Sequence, residues 1–464
     1  MAAEDALERA LTFARTYLAA REQRPVWPTT TLADLRNALI SELADGSADP
    51  TAVIEHLIAA VDPGTVSTTG PRYFGFVTGG ALPAAAAAEW LNAVWDQNTG
   101  LYVMSPAMAV VEEVAGTWLR ELLRLPPGAS IGFVTGCHMA NFTALAAARH
   151  ELLRRLGWDV ERDGLQRAPR LRVIAGDEAH ASVLGALRYL GIGSAEVQRL
   201  AADDQGRMRA DALKAILAQS TDPTIVCAQA GNVNTGAFDP FDAIADLTQA
   251  HGAWLHIDGA FGLWAAASPV LRQLANGVER ADSWATDAHK WLNVPYDSGL
   301  VFTAHPSAHQ AAMSTSAAYL TRSADEPREC FDWVPESSRR ARGLAIYAAL
   351  RSLGRSGVSE LIERCVRLAR RFADRLRTES RLQILNDVVL NQVLVRVSGP
   401  TAELSDTATT SALRSVQNER ICWLGGTIWH GMSAMRISVS NWSTTEHDVD
   451  ISADSIIRAV RALP

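Results

Sequence analysis

The sequence predicts an α/β protein built on a mostly parallel sheet, with an N-terminal helical arm and a smaller C-terminal α+β domain. Two observations support this prediction. Short apolar runs alternate with helical stretches between residues 81 and 305, and long helices followed by strands occupy residues 338–464. Alternation of the first kind is typical of parallel strands joined by crossover helices. With 464 residues and 48% hydrophobic composition, the chain can fill a large core.

The segments follow in a definite order. Residues 1–80 hold amphipathic helical stretches broken by "RPVWPTTT" and "VDPGTVSTTGP", so we expect an arm that packs on a larger body. In residues 81–305, strands are predicted at "SIGFVTG", "LRVIAGD", "TIVCAQAG" and "WLHIDG". Residues 306–337 are mixed and polar and are predicted to be a mobile loop and linker. The C-terminal domain has helices in "SRRARGLAIYAALRSLG" and "GVSELIERCVRLARRFADRLRTE" and strands in "VLNQVLVRV" and "MRISVS".

Charge and cysteine content limit the possible functions. A formal net charge of -8 argues against general affinity for nucleic acid or for an anionic membrane. The five cysteines are odd in number and form no CxxC pair, so we expect neither a disulfide framework nor a metal site, and a reducing cytoplasm suits them. The N-terminal stretch lacks the features of a signal peptide, and "ALPAAAAAEWLNAVW" is too short to span a bilayer, so no membrane association is expected.

Polar residues that end predicted strands are the first candidates for chemistry, because ligands of open parallel sheets bind beyond the carboxyl ends of the strands. Asp258 ends one run, in "AWLHIDGAFG", and His180 follows another, in "LRVIAGDEAHASV". Each residue taken alone could equally be a helix cap or a turn residue. The turn "TGCHMAN", residues 135–141, joins a strand to a helix whose N-terminus could bind a phosphate.

Lys290 completes the set, in "SWATDAHKWLNVPYDSG". A random lysine is usually a surface residue, but this one lies between apolar runs and about one βα unit after Asp258.

The sequence contains neither a Walker A loop nor GxGxxG, which disfavours a nicotinamide enzyme. A phosphate-binding turn, a strand-end histidine, a strand-end aspartate and then a lysine form the expected order of parts for a pyridoxal 5'-phosphate (PLP) site.

From about residue 70 to its end, the chain resembles the group II PLP-dependent amino-acid decarboxylases, the family of aromatic-L-amino-acid and glutamate decarboxylases. The segments that carry the resemblance are, in order, "PRYFGFV", "TGCHMANFTALAAAR", "DEAHASV", "HIDGAFG", "DAHKWLNVPYDSG", "AAYL" and "SRRARGLAIYAALRSLG". The resemblance implies fold type I of the PLP-dependent transferases, with a mostly parallel seven-stranded sheet in the large domain. It also implies decarboxylation of a small-molecule L-amino acid to the amine and CO2.

The resemblance also implies roles for individual residues. Lys290 would form the internal aldimine with the cofactor and, to attack as a neutral amine, would have its pKa lowered in a partly desolvated pocket. Asp258 would pair with the pyridine nitrogen, so that the ring accepts electrons from a breaking Cα bond. His180 would stack on the ring. The phosphate would be bound from three positions, Cys137, His138 and His289.

The chain departs from the family pattern in two places. Many relatives have a small hydroxyl residue and then glutamate where this sequence has His138 and Met139, so either the His138 side chain or the backbone provides the phosphate contact. In "AGNVNTGAFDP", Asn232 or Asn234 is expected to supply the hydrogen bond to Asp258 that a threonine often makes.

Tyr319, in "SAAYL", resembles the mobile-loop tyrosine that reprotonates the carbanion and thus favours an amine product over an aldehyde. Another Cα reaction on the same scaffold, transamination or aldol cleavage, stays open, and Arg436 is positioned like the arginine that clamps the substrate carboxylate in aminotransferases. A ligand-sensing module without turnover is the alternative from a different class. The joint presence of Lys290, Asp258, His180 and Tyr319 disfavours it.

Substrate recognition is the least determined property. Aromatic residues in and after "PRYFGF" suit an aromatic substrate, although at such spacing they are more often core: Tyr73, Phe74, Phe76, Trp90 and Trp95. An acidic substrate would require an arginine such as Arg72 or Arg339. The resemblance further implies a homodimer with active sites at the subunit interface.

Overall fold

The computed structural model describes residues 2–315 and 328–464, with side chains from residue 5 onwards. The chain divides into two compact units. One comprises Met1–Thr78, Arg371–Ile384 and Leu394–Pro464, and the other comprises Gly79–Arg370 and Leu385–Val393. Because the second unit contains Asp258 and Lys290, most of the candidate site lies within a single unit.

Within the described residues, the sheet of this larger unit has seven strands: β1 (Ser130–Val134), β2 (Arg172–Gly176), β3 (Val197–Leu200), β4 (Thr224–Gln229), β5 (Trp254–Asp258), β6 (Ser283–Asp287) and β7 (Gly299–Thr303). Their order is β1-β7-β6-β5-β4-β2-β3. Strand β7 runs antiparallel to both of its neighbours, and the other pairs are parallel. The predicted mostly parallel, seven-stranded sheet is confirmed.

Central strands of such a sheet are covered on both faces, so burial does not alternate along them. Every residue of β5 and β6 is buried. The helices of this unit are α4 (Pro83–Trp95), α5 (Pro106–Leu122), α6 (Cys137–Arg154), α7 (Val160–Asp163), α8 (Ala181–Tyr189), α9 (Ala210–Leu217), α10 (Phe241–Ala250) and α11 (Pro306–Met313). One core cluster joins α6 and α8 to the sheet through Leu145, Val173, Val183, Ile225 and Trp254. Each such buried large side chain contributes on the order of 1.5–3 kcal/mol.

The two helices predicted after residue 338 meet in one element, α12 (Arg342–Leu376), which is kinked at Gly354. The φ of Gly354 is 62°, in the left-handed region that glycine adopts without strain. The predicted boundary between the two helical segments therefore coincides with a break in helical geometry.

The remaining elements include helices α1 (Ala2–Ala20), α2 (Leu32–Leu39), α3 (Pro50–Val61), α13 (Ala402–Glu419) and α14 (Glu446–Arg461) and strands β8 (Leu382–Ile384), β9 (Gln392–Val397), β10 (Gly425–Trp429) and β11 (Met432–Ser438). The strands form a second sheet in the order β10-β11-β9-β8. Helix α14 begins with a capping box in which Thr445 and Asp448 satisfy each other's backbone N–H groups, so its start is set by local sequence.

Part of the segment predicted as mobile loop and linker, 306–337, is helical, namely α11 and a 3-10 turn at Cys330–Trp333. The four segment boundaries expected from the sequence stay predictions. In the described parts of the chain, no helix is both long and apolar enough to cross a membrane.

Candidate active site

Two neighbouring parallel strands end in an aspartate. Strand β5 ends at Asp258 and strand β6 at Asp287, and the two strands pair in parallel with Asp258 opposite Ala285. Parallel pairing brings both carboxylates to the same edge of the sheet, where ligands of such folds bind. Helix α6 also begins at this edge, because its first residue, Cys137, donates its backbone N–H to Oδ1 of Asp287 at 2.6 Å.

The turn between β1 and α6 packs directly on the start of β7. A Cβ on Gly299 would lie 2.4 Å from the Cα of Gly136, so position 299 tolerates no side chain. A Cβ on Gly136 would approach the His289 ring at 3.1 Å and the Asp287 carboxylate at 3.5 Å. The two glycines thus bring a helix N-terminus against the segment that carries Lys290.

Lys290 is largely buried, and its Nζ lies 3.1 Å from Oδ2 of Asp287. Burial alone would lower the pKa of Lys290. The negative charge of Asp287, together with Cys137 and Asp258, raises the pKa by a larger amount, so the net pKa lies above its ordinary value. The expected lowering of the Lys290 pKa is therefore wrong in this structure. The physical reason is that desolvation, although the largest single effect, is outweighed by the carboxylate at ion-pair distance and the other nearby groups taken together.

Lysine is scarce in this chain, which has Lys214 and Lys290 and no other. Lys214 is exposed on α9, whereas Lys290 lies beside two strand-end carboxylates. Only one lysine side chain therefore has an environment that could prepare it for chemistry.

Asp287 is the functional residue that sequence reasoning missed. Its side chain is buried and contacts the amine of Lys290, the first backbone N–H of α6 and, at 3.4 Å, Nε2 of His289. Two of these partners belong to residues expected to bind the phosphate. The available signal was a second strand-end aspartate, three residues before the lysine.

Replacing Asp287 with asparagine is expected to shift the pH at which the apoprotein captures an aldehyde. The variant keeps an acceptor for the Cys137 N–H but loses the charge that raises the pKa of Lys290. Because only a neutral amine attacks, the midpoint of capture rate against pH should move about 1 unit lower. Stopped-flow absorbance with PLP measures it. Asp211→Asn, on the surface of α9, is the control, and an unchanged or higher midpoint in Asp287→Asn contradicts the expectation.

His289 is held as a neutral donor. Its Nδ1 accepts the backbone N–H of Ser298 at 3.1 Å, so in the neutral ring the proton is on Nε2. Burial lowers the pKa of His289, and the nearby Asp287 offsets this only in part. The ring packs on Tyr296 with centroids 4.4 Å apart. Its Nε2–H points toward the start of α6, where Asp287 lies 3.4 Å away, so it is a donor placed beside the proposed phosphate site.

Asp258 accepts hydrogen bonds from three described groups: the thiol of Cys137 (3.3 Å), Nδ2 of Asn141 (3.3 Å) and the backbone N–H of Ala260 (3.2 Å). Burial, and then the two aspartates, raise the pKa of the Cys137 thiol well above its ordinary value, so it acts as a donor. A carboxylate has about four acceptor positions. One position of Asp258 is left for a further donor.

Asn232 or Asn234 was expected to bond to Asp258; for Asn232 this expectation is wrong, since its Nδ2 has no hydrogen-bond partner among the described residues, and for Asn234 it stays a prediction. Oδ1 of Asn232 accepts the backbone N–H of Asn234 at 2.8 Å and that of Thr235 at 3.2 Å, which closes the local turn. Asn141, one turn into α6, makes the contact instead. Whether Asn232 binds the cofactor stays a prediction.

The other two candidate site histidines, His180 and His138, lie close to helix α8. His180 caps its start, with Nδ1 accepting from the backbone N–H of Ser182 and 2.8 Å from the Ser182 hydroxyl. The exposed ring of His138 stacks on Tyr189 with centroids 5.3 Å apart and lies over Gly185. Tyr319 lies outside the described residues, so its proposed role stays a prediction.

The arginines considered for an acidic substrate are both engaged. Arg72 pairs with Asp448 at 3.0 Å and donates to the backbone carbonyls of Ile421 and Glu22. Arg339 is fully buried and pairs with Glu112, with one of its two contacts at 3.1 Å. Both guanidinium groups are already neutralised by carboxylates.

Arg436 differs from these two arginines. It is half-buried on β11, burial lowers its pKa, and it has no ion-pair partner in the described part of the chain. An unpaired, partly desolvated guanidinium is suited to binding a carboxylate.

Breaking the buried pair is expected to destabilise the fold. Arg339→Met leaves the Glu112 carboxylate buried without its partner, which should lower the free energy of unfolding by about 3–5 kcal/mol. Urea unfolding followed by circular dichroism measures this. Arg209→Ala, which removes an exposed pair with Asp211, should leave the midpoint unchanged. A loss of activity in Arg339→Met without loss of stability would instead indicate a role in substrate binding.

The aromatic residues considered for substrate binding have different environments. Phe74 is buried against Phe372, edge to face at 5.3 Å, and Tyr73 stacks on Trp423 at 5.0 Å. Phe76 also packs on Trp423, at 5.4 Å, yet is 61% exposed. Trp90 and Trp95, both on α4, are exposed. The core interpretation therefore holds for Phe74 and Tyr73.

These residues fit PLP on several independent observations. Lys290 offers an amine, Asp258 retains one acceptor position beside it on the sheet edge, and the first turn of α6 is cleared by glycine. Ser298 donates its backbone N–H to His289. Its hydroxyl is buried and has no hydrogen-bond partner among the described residues, so it could donate to a ligand. Across residues 2–315 and 328–464, no group of three or more histidine, cysteine, aspartate or glutamate residues could hold a metal ion.

Comparison with known proteins identifies the family. The model of the pyridoxal-dependent decarboxylase conserved domain matches residues 34–398. The chain belongs to this family. The decarboxylase is 27% identical to tryptophan decarboxylase 1 of Oryza sativa subsp. japonica, over 96% of this chain and 90% of the relative. It is 31% identical to L-2,4-diaminobutyrate decarboxylase of Rhizobium meliloti (strain 1021), over 82% and 76%.

The decarboxylase also resembles the crystal structure of Oryza sativa TDC with PLP and tryptamine. The TM-score is 0.92 at 25% identity, with 99% of this chain and 97% of the other covered. The predicted fold type I is confirmed, and so are the PLP cofactor and the assignment as a carboxy-lyase acting on an amino acid.

Proposed function

We propose that this decarboxylase converts an aromatic or otherwise hydrophobic L-amino acid to its amine and CO2. PLP supplies an electron-accepting ring when bound. Lys290 holds it covalently, and Asp258 keeps a proton on the ring nitrogen. His180 packs on the ring face. The phosphate is held by the start of α6, with Cys137, His138 and His289 as its neighbours.

One observation carries the choice of substrate class: Arg72 and Arg339 are both tied to carboxylates. Neither is therefore available to neutralise an acidic substrate side chain. Similarity to a relative named for tryptophan supports an aromatic substrate, whereas the relative named for 2,4-diaminobutyrate makes a basic substrate the comparison to test.

A substrate panel tests the proposal. Purified protein with added PLP is incubated with each common L-amino acid and with 2,4-diaminobutyrate, and products are identified by mass spectrometry against a Lys290→Ala control. Amine and CO2 from an aromatic or aliphatic amino acid support the proposal. Faster turnover of glutamate or diaminobutyrate contradicts the substrate class. Keto acids or aldol fragments as the sole products contradict decarboxylation.

Tyr319 is proposed to return the proton to the substrate carbon after CO2 leaves. Tyr319→Phe removes only the hydroxyl, so the amine yield should fall about tenfold or more, with aldehyde and oxygen uptake taking its place. Mass spectrometry of amine and derivatised aldehyde gives the product ratio, and an oxygen electrode follows the O2 that aldehyde formation consumes while ammonia and hydrogen peroxide are released. Tyr296→Phe is the control for loss of a tyrosine hydroxyl. An unchanged amine-to-aldehyde ratio in Tyr319→Phe contradicts the role.

We infer a cytoplasmic homodimer. Support for the dimer comes from an apolar surface on and after α4, where Trp90, Val94, Trp95 and Val103 are 47–79% exposed. Several large apolar side chains exposed within a short stretch of chain favour a protein interface there. All five cysteines are free and buried, which suits a reducing compartment. Sedimentation equilibrium at the mass of one chain would contradict the dimer, and recovery outside the cytoplasmic fraction would contradict the location.

A further inference from the structure

A chain of buried hydrogen bonds ends on Asp258. The indole Nε1–H of Trp254 donates to the hydroxyl of Ser283 at 2.9 Å, and Ser283 lies 2.9 Å from Nδ1 of His256. Nε2 of His256 lies 2.9 Å from Oδ1 of Asn141, whose Nδ2 donates to Asp258 at 3.3 Å. All five side chains are at most 4% exposed. The chain therefore runs from the core to the sheet edge without solvent contact.

The two ends fix the direction of every bond in it. An indole N–H can only donate, and an ionised carboxylate can only accept. Asn141 donates from Nδ2 to Asp258, so its Oδ1 must accept from Nε2–H of His256. The neutral ring then accepts at Nδ1 from the Ser283 hydroxyl, which itself accepts from Trp254. Burial lowers the pKa of His256 to about 4, which agrees with a neutral ring.

Asn141 is the branching point. Its Nδ2 also donates to the hydroxyl of Ser182 at 3.3 Å, and that hydroxyl lies 2.8 Å from Nδ1 of His180. One amide group, fully buried and held by His256, thus contacts Asp258 directly and His180 through Ser182. The proposed function gives these two residues to the ring nitrogen and the ring face of PLP.

We propose that Asn141 and His256 are positioning residues that aim Asp258 at a protonated ring nitrogen and hold His180 in register with it. The inference rests on the proposed function for the roles of Asp258 and His180. If so, the effect of Asn141 on affinity depends on the cofactor. Asn141 strengthens binding of a cofactor that has the ring nitrogen, and it contributes much less to binding of an analogue in which carbon replaces that nitrogen. A residue that served packing alone would affect both cofactors equally.

The experiment compares two variants of nearly the same shape, Asn141→Thr and Asn141→Val. The threonine hydroxyl can accept from His256 and donate to Asp258, whereas valine can do neither. Apoproteins are titrated with PLP and with 1-deaza-PLP, which lacks the ring nitrogen, and protein fluorescence gives a dissociation constant for each. In Asn141→Val, the preference for PLP should fall about tenfold relative to the native protein, as expected for a lost hydrogen bond to a charged group. In Asn141→Thr, most of the preference should remain.

An equal loss of affinity for both cofactors in Asn141→Val, with the preference unchanged, overturns the inference. A native protein that binds PLP without any preference over 1-deaza-PLP overturns instead the role proposed for Asp258. If Asn141→Val does not fold, a second pair serves: His256→Gln places an amide donor near the position of Nε2, and His256→Leu does not. The preference should be retained in the first and reduced in the second, and equal preferences contradict the proposal.

Discussion

Replacing Lys290 with alanine is expected to lower the decarboxylation rate by on the order of 10⁴-fold or more, as is usual when the covalent residue of an enzyme is removed. The variant should also lose covalent capture of PLP. The expectation follows from the position of the amine at the strand-end edge, 3.1 Å from Asp287, and from the scarcity of lysine in the chain. No second lysine lies in a comparable environment.

Borohydride trapping measures the second effect directly. Reduction of the PLP-loaded protein should leave a phosphopyridoxyl group on the peptide that contains Lys290, which peptide mass spectrometry identifies. Lys214→Ala is the matched control, since it removes the other lysine and should keep both turnover and trapping. A label found mainly on Lys214, or turnover retained in Lys290→Ala, would overturn the assignment.

Replacing Asp258 with asparagine is expected to lower kcat by about 10² to 10³-fold while changing KM much less. Asparagine is nearly the same size but cannot hold a proton on the ring nitrogen, so the ring would accept electrons less readily from the breaking bond. The thiol of Cys137 and the Ala260 N–H can still find an oxygen acceptor, which limits structural damage.

Steady-state kinetics with the substrate found in the panel gives the kcat and KM of each variant. Asp177→Asn, just beyond the end of β2 in the same sheet, tests whether any aspartate near a strand end produces the effect, and its kcat should stay within about twofold of the native value. A kcat retained in Asp258→Asn, or a change confined to KM, would remove Asp258 from the proposed role.

Local patterns were sufficient to predict four strands of the large sheet, β1, β2, β4 and β5. Asp258 and His180 could be singled out because an apolar run followed by polar residues predicts a strand end, and Lys290 because it lies between apolar runs after Asp258. The same rule missed Asp287, because β6, "SWATD", has few apolar residues. The seven-stranded sheet followed from the same alternation together with the resemblance. These features depend on sequence neighbours, so one sequence is enough to find them.

The contacts that sequence reasoning missed join distant residues. Asn141 and Asp258 are 117 positions apart, and Cys137 and Asp287 are 150 apart. Which asparagine reaches Asp258 depends on how α6 lies over β5, and the nearer candidate in the fold, Asn141, is a helix residue without a local signal. The predicted direction of the Lys290 pKa shift was wrong for a similar reason. It depends on the balance between burial of the amine and its 3.1 Å contact with Asp287.

The scarcity of lysine has a practical consequence for handling this protein. Reagents that couple to amines, such as activated esters on a chip or resin, would find one exposed lysine side chain, Lys214, besides the α-amino group. Blocking the α-amino group would leave a single attachment point on α9. Every molecule would then be immobilised through one attachment point, and Lys290, the amine proposed to hold PLP, would be left largely unmodified because its ion pair and burial protect it.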